Sequence, residues 1–232
     1  MVITFDPPGA FRSTRPARVD LAEMLGCAAE ALAACGPDGP VDVVGHSMSG
    51  LCALAFTVER PKAVRRLLLI GSVAGGPSVL RGRGLPLCWS FADLRFWRAA
   101  WLGMWLASGH GSLAQHKRML ELIWRASYHD PSRVPTVRVA VDDASRPAPV
   151  RDRWSRVAQS IDYRSRLAAM HAPTLVCVGR YDPQAPIACS EELAHNIPGA
   201  QLIIFEQSGH YPFVEEVAVF AATVAAFFGE GG

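Results

Sequence analysis

The stretch VDVVGHSMSG, residues 41–50, joins a short apolar run to a serine set among small residues. The apolar run is typical of a buried strand, and the helix-like LCALAFTVERP follows the serine. A serine on such a strand-to-helix elbow adopts strained backbone angles, and small residues two positions before and after it relieve the crowding. Gly45, Ser49 and Gly50 meet that need. Ser47 is therefore a candidate nucleophile, and the alternative is an ordinary turn that contains serines.

Further apolar runs predict a mainly parallel sheet with helices on both faces. The predicted strands are 2–5, 41–45, 64–72, 174–179 and 200–206, and helical patterns occupy about 18–35, 48–60 and 213–228. From about residue 77 to 162 the alternation stops, and the pattern becomes helical and aromatic, with all six tryptophans. We therefore predict an α/β core formed by residues 1–76 and 163–232, with 77–162 inserted as a helical cap.

Two later strand ends carry the residues that a nucleophilic serine needs. The serine requires a base to take its proton, and the base requires an orienting acid. Asp182 follows TLVCVG and His210 follows QLIIFE, both at the carboxyl edge of the predicted sheet. Plain alternatives are a turn or helix N-cap for Asp182 and a loop position for His210. The N–H of Met48, directly after the serine, is the predicted oxyanion donor.

These segments resemble the α/β-hydrolase fold family. GHSMSG, VGRYDPQAP and FEQSGHYPFVEE are similar to its three signature segments, and DPPGAFRS at 6–13 is similar to the loop after its fourth core strand. The carboxy-terminal third resembles the capped prolyl aminopeptidase (proline iminopeptidase) branch. The resemblance implies a serine hydrolase with Ser47 as nucleophile, Asp182 as acid and His210 as base, and with no cofactor and no metal.

The amino-terminal part departs from that family pattern. The family has three earlier strands and a His-Gly-rich loop that donates one N–H to the oxyanion hole, but no such stretch precedes Asp6. We therefore expect strands 1–3 of the family fold to be absent and the second oxyanion donor to be missing. Two explanations stay open: the reading begins downstream of the true start, or the protein is naturally reduced and weakly active.

The predicted cap carries candidate substrate contacts. Trp97, Trp101 and Trp105 recur every four residues on one helical face, which either packs the cap onto the core or roofs a pocket over the serine. The residues predicted to contact substrate are His46, Trp97, Trp101, Trp105 and Trp154. Residues 81–156 hold 13 Lys/Arg and 6 Asp/Glu, a net charge of +7. That charge favours neutral or anionic substrates over the free ammonium group that a prolyl aminopeptidase binds.

Composition limits the remaining classes of function. The net charge of +2 with 19% charged residues predicts neither a nucleic-acid partner nor a membrane partner. Six scattered cysteines without a C-x-x-C pair, and a start without a signal-peptide pattern, predict a cytoplasmic protein. We expect hydrolysis of an ester, amide or acyl bond of a small molecule or short peptide through an acyl-enzyme. The alternatives are prolyl aminopeptidase-like activity and a catalytically weak or inactive binding protein.

Overall fold

The structure, a computed structural model, describes residues 1–4, 13, 20–75, 97, 101, 115, 118, 122, 124–133 and 161–229. Its described strands form one sheet in which every neighbouring pair is parallel. In their order across the sheet they are β1 (Val41–His46), β2 (Val64–Ile70), β3 (Thr174–Gly179) and β4 (Gln201–Phe205). Because the strands are parallel, the chain leaves all four at the same edge of the sheet.

Helices precede and connect these strands. They are α1 (Leu21–Cys35), α2 (Met48–Glu59), α3 (Ile187–Asn196), α4 (Pro212–Glu215) and α5 (Val217–Gly229), with 3-10 turns at Pro61–Ala63, Pro131–Arg133 and Arg164–Ala169. The α1 helix begins where the Asp20 carboxylate accepts the Glu23 N–H at 2.9 Å, which satisfies one of the free N–H groups of its first turn. Helix α2 links β1 to β2, and α3 links β3 to β4.

The two faces of the sheet bury separate apolar clusters. On β2, Leu67 and Leu69 pack into the cluster that includes α2 and α3, while Leu68 and Ile70 pack into the cluster closed by α5. Successive side chains of a strand point to opposite faces, so a continuous apolar run serves both clusters. The strand is thus held from both sides, and its carboxyl end is a rigid support for the loops that follow it.

Four of the five predicted strands are confirmed, and the fifth prediction is wrong. Residues 2–4 of the predicted strand 2–5 form no strand, and Val2 is 89% exposed; residue 5 lies outside the described residues. A short apolar run forms a strand only where it buries its side chains and pairs its backbone, and Val2 does not bury its side chain. The predicted helix 213–228 is two helices, because Glu216 leaves helical geometry at φ −125° and ψ 53°.

Most of the predicted cap lies outside the described residues, so the division at 77–162 stays a prediction. The described residues Trp97 and Trp101 have helical backbone, and their side chains are 56% and 59% exposed. Side chains so exposed bury little apolar area, so this part of the tryptophan stripe is not packed as a core would be. Trp105 and Trp154 are not among the described residues. Over the part of the chain that the structure describes, no helix is long and apolar enough to cross a membrane.

Candidate active site

Ser47 lies on a tight elbow between β1 and α2. Its φ of 55° and ψ of −126° make it the one non-glycine residue with positive φ in the described ranges. A Cβ on Gly45 would lie 2.5 Å from the Gly50 Cα, and a Cβ on Gly50 would lie 2.3 Å from the Ser72 Oγ. Gly45 and Gly50 are therefore required by these close approaches, and the strand-to-helix elbow is confirmed.

The elbow is tied to the end of β2 by backbone groups of Ser47. Its N–H donates to the Ile70 carbonyl at 2.8 Å, and its own carbonyl accepts the Ser72 hydroxyl at 3.1 Å and the Gly50 N–H at 3.0 Å. These bonds compensate for the strained angles, because a backbone held from several directions keeps an unfavourable conformation. The position of the serine is therefore set by β2 as well as by its own strand.

Asp182 and His210 form a buried pair at the ends of β3 and β4. Nδ1 of His210 lies 2.7 Å from Oδ2 of Asp182, and the two residues are 1% and 6% exposed, respectively. Oδ1 of Asp182 accepts the N–H groups of Gln184 at 2.8 Å and Ala185 at 2.9 Å. Because a carboxylate oxygen only accepts, Nδ1 carries a proton, and the neutral ring then has its lone pair on Nε2. This tautomer is the one that a general base needs.

Gly71, directly after β2, lies between the elbow and this pair. Its φ is +50°, and a Cβ there would lie 2.8 Å from Oδ2 of Asp182 and 3.0 Å from Nδ1 of His210. Its chain neighbours Ile70 and Ser72 are the residues that bind the Ser47 backbone. Within the described residues no hydrogen bond joins the Ser47 hydroxyl to His210, and such bonds commonly shorten only when substrate is bound.

His46 contacts the loop that carries His210. Its Nε2 lies 2.9 Å from the His210 carbonyl, and since a carbonyl only accepts, this nitrogen carries the proton. Its ring centroid lies 4.5 Å from that of His210 and 5.1 Å from that of Phe213. Burial, and secondarily the neighbouring His210, lower the pKa of His46 from 6.5 to about 4. Its one N–H is therefore bonded to the protein itself, and contact of His46 with substrate stays a prediction.

Met48 is the first residue of α2, immediately after the elbow. The first N–H groups of a helix have no acceptor inside the helix, and the helix dipole favours negative charge at this end. The Met48 N–H is thus suited to an oxyanion beside Ser47, and its role as the oxyanion donor stays a prediction. A second donor for the same oxyanion is not identified among the residues that the structure describes.

Several residues around the pair were not singled out from the sequence. The sequence predicts Gly71 and Ser72 only as the end of a strand, although a glycine at the carboxyl end of a central strand is a signal of close approach. Ser127 accepts the His210 N–H at 2.7 Å through its carbonyl, and Gln184 donates to the Ser127 hydroxyl at 2.7 Å. No local sequence pattern predicts either contact, because the partners are far apart in the chain.

No metal-binding cluster marks the site in the described ranges. No group of three or more His, Cys, Asp and Glu side chains there is placed to hold a metal ion. An open groove of about 380 Å³ lies between the end of α1 and α2, lined in part by Leu32, Phe56 and Arg60. None of the three candidate catalytic side chains lines that groove, which is therefore separate from the candidate active site.

This fold and this constellation of residues define an α/β-hydrolase fold. The family model for the alpha/beta hydrolase fold matches residues 1–217, and the chain belongs to that family. Solved structures agree on the fold. A meta-cleavage product hydrolase from Pseudomonas fluorescens superposes with a TM-score of 0.71 at 21% identity, over 98% of this chain and 79% of that one. A hydrolase from Bacillus anthracis gives a TM-score of 0.74 at 21% identity, over 96% and 80%.

Among curated proteins the chain is similar to named hydrolases and esterases. It is 30% identical over 199 residues to 2-hydroxymuconate semialdehyde hydrolase of Pseudomonas putida, which covers 82% of this chain and 62% of the relative. It is 27% identical over 202 residues to pimeloyl-[acyl-carrier protein] methyl ester esterase of Neisseria meningitidis, over 84% and 71%. The chain thus spans 62% of the length of the first of these relatives.

Proposed function

We propose that this chain is a serine hydrolase that cleaves an ester, amide or acyl bond of a small molecule through an acyl-enzyme. The observation that carries the proposal is the strained Ser47 elbow, tied to the same end of β2 that contacts the buried Asp182–His210 pair. A strained serine, a histidine of the required tautomer and an orienting carboxylate are the three parts of nucleophilic acyl transfer. The names of the relatives, a hydrolase and an esterase, support the same reaction class.

In this mechanism the Ser47 Oγ attacks the substrate carbonyl carbon while His210 Nε2 takes the hydroxyl proton. The positive charge that develops on the ring is stabilised by Asp182, whose carboxylate is held in place by the two N–H groups of its loop. The carbonyl oxygen becomes an oxyanion that the Met48 N–H stabilises. His210 then protonates the leaving group, and the same steps with water in place of Ser47 release the acid and restore the serine.

Esters and related acyl groups are the substrate class that we favour. One relative is named as a methyl ester esterase, and the net charge of +7 over residues 81–156 suits neutral or anionic acyl compounds. The likeness to prolyl aminopeptidases seen in the sequence has no support in the names of these relatives and stays a prediction. The substrate contacts expected of four tryptophans also stay predictions; they are Trp97, Trp101, Trp105 and Trp154.

The test uses Ser49 as an internal control, because it is a second serine hydroxyl two residues from Ser47. Hydrolysis of short-chain acyl esters is measured for wild type, Ser47→Ala and Ser49→Ala, beside proline and alanine arylamides. We expect Ser47→Ala to lose roughly 10⁴-fold or more in kcat, and Ser49→Ala to stay within about 3-fold of wild type. Retained turnover in Ser47→Ala would overturn the serine mechanism. Arylamide turnover at ester-like rates would favour the aminopeptidase alternative.

A further inference from the structure

The segment 124–133 lies against the loop that carries His210. The His210 N–H donates to the Ser127 carbonyl at 2.7 Å. A Cβ on Gly209 would lie 2.3 Å from that same carbonyl oxygen and 2.9 Å from the His129 nitrogen. The two backbones are therefore in direct contact, with no side chain between them, and a movement of one displaces the other.

The same segment also contacts the loop that carries Asp182. The Gln184 side chain donates to the Ser127 hydroxyl at 2.7 Å, and the His129 ring stacks on Tyr181 at a centroid distance of 3.9 Å. Tyr128 stacks on Tyr211, beside His210, at 4.7 Å. Segment 124–133 thus bridges the two loops that supply the acid and the base, although it lies 47 or more residues away from either loop in the chain.

A buried carboxylate holds this segment and the His210 loop together. Glu215 is 2% exposed; its Oε2 accepts the Gly209 N–H at 2.7 Å and its Oε1 accepts the Asp130 N–H at 2.9 Å. Within the described residues this carboxylate forms no ion pair, so backbone donors compensate for the cost of burying it. The Arg133 guanidinium donates to the Glu215 carbonyl from the same segment. One side chain therefore connects the residue before His210 to the segment that binds the His210 N–H.

We propose that Glu215 is a positioning residue for the reaction: it sets the place of the His210 ring by fixing Gly209 and segment 124–133 to each other. This inference rests on the proposed function, because it concerns the base of that mechanism. A displacement of about 1 Å in a catalytic group costs on the order of 100-fold in rate. Loss of the Glu215 contacts releases both the loop and its support, which is the kind of change that produces such a displacement.

Glu216 is the matched control. It is the neighbouring glutamate, and its Oε2 accepts the Gln207 N–H at 2.9 Å and the Ser208 hydroxyl at 2.6 Å. It therefore stabilises the start of the same loop through the same chemistry, but these bonds do not reach segment 124–133. If Glu215 acted only by general stabilisation of the loop, the two glutamine variants would have similar effects on catalysis.

The experiment compares wild type, Ser47→Ala, Glu215→Gln and Glu216→Gln. For each variant, folding is checked by near-ultraviolet circular dichroism. We then measure the second-order rate of labelling by a fluorophosphonate, together with kcat, KM and the pH profile of kcat/KM on a short acyl ester. Glutamine keeps one acceptor oxygen but points an NH₂ at a backbone N–H, so one of the two bonds is lost. We expect Glu215→Gln to lower labelling rate and kcat about 10- to 100-fold, with KM within about 3-fold and a shifted acid limb of the pH profile.

Glu216→Gln is expected to stay within about 3-fold of wild type in both rates. A folded Glu215→Gln protein that labels at the wild-type rate would overturn the positioning role, and so would equal losses in the two glutamine variants. If Glu215→Gln does not fold, Glu215→Asp decides instead, since the shorter carboxylate reaches one N–H but not both; wild-type rates in that variant overturn the inference. Absence of Ser47-dependent labelling in wild type overturns the proposed function, and the inference with it.

Discussion

At Ser47 the backbone adopts φ 55° and ψ −126°, a conformation that costs a residue with a Cβ on the order of 1–3 kcal/mol. The cost is offset by hydrogen bonds of the serine backbone: its N–H donates to the Ile70 carbonyl, and its carbonyl accepts from Ser72 and Gly50. The strained turn places the Ser47 hydroxyl at the edge of the sheet. The same turn places His46 against the loop that carries His210. Single residues at this edge therefore have two roles, in the stability of the fold and in the geometry of the site.

His46 makes the stability of the protein sensitive to acid. Its folded pKa, about 4, is below its ordinary value of 6.5, so on acidification the unfolded chain binds the proton first. The contribution of the neutral His46 ring to the free energy of unfolding is complete above pH 6.5 and is lost as the pH falls toward 4. Between pH 7.5 and 5 this residue lowers the free energy of unfolding by about 2 kcal/mol. Urea denaturation of His46→Gln at both pH values is expected to show a pH dependence smaller by that amount; an unchanged dependence would contradict the assignment.

A substitution at Gly71 tests whether the close approach of the β2 end to the Asp182–His210 pair is needed for activity. Gly71→Ala adds a Cβ 2.8 Å from the Asp182 carboxylate at a φ of +50°, so both backbone strain and displacement of the pair follow. We expect kcat/KM to fall about 100-fold and the free energy of unfolding to fall by about 1–3 kcal/mol. Gly199→Ala is the control, because Gly199 has φ +69° and open space around it. We expect the Gly199→Ala variant to lose stability from backbone strain alone and to keep its activity. Equal activities in the Gly71→Ala and Gly199→Ala variants would refute the argument.

At the scale of elements, β2 holds the site because both of its faces are buried. Leu67 and Leu69 anchor it to the α2 side, and Leu68 and Ile70 anchor it to the α5 side. Its last residue, Ile70, accepts the Ser47 N–H, and the next residue, Gly71, lies so close to the Asp182–His210 pair that a Cβ would not fit. The precision of the site is therefore a property of this strand's packing.

Substitutions along β2 separate its packing from its surface charge. Leu67 is fully buried, and Leu67→Ala is expected to lower the free energy of unfolding by about 2–5 kcal/mol through lost burial and a cavity. Arg65 lies on the same strand and forms an exposed ion pair with Asp42. Arg65→Ala is expected to change the free energy of unfolding far less, because solvent screens an exposed ion pair. Urea denaturation measures both, and a cost for Arg65→Ala as large as that for Leu67→Ala would contradict this account.

Elements whose stability is local were predictable, and contacts between distant parts of the chain were not. The strand at 174–179 was predicted with its observed bounds because all six residues of TLVCVG are buried. The run at 2–5 looked similar, but a sequence does not state whether a run finds a pairing partner. Asp182 and His210 were identifiable because each follows a strand. Glu215 and Ser127 were not, since their role depends on backbone contacts between segments more than 80 residues apart.

At the scale of the whole molecule, the parallel sheet brings together at one edge residues from four separate parts of the chain. Ser47 follows β1, Gly71 follows β2, Asp182 follows β3 and His210 follows β4. This order, with the strained serine elbow first and the proposed acid and base after it, is the arrangement that the sequence resemblance to the α/β-hydrolase family implies. Segment 124–133, which comes from the predicted cap region, contacts the last two of these loops. The cap region is thereby connected to the proposed acid and base.

The central claim is that the Ser47 hydroxyl is a nucleophile activated by His210 and Asp182. The most direct measurement is reaction with a fluorophosphonate, followed by intact mass and peptide mapping of the adduct. We predict one adduct per chain, on the peptide that contains Ser47, with labelling abolished in Ser47→Ala and slowed roughly 10³-fold or more in His210→Ala. Ser49→Ala should label like wild type. A folded wild-type protein that gives no adduct, or an adduct that persists in Ser47→Ala, would contradict the account.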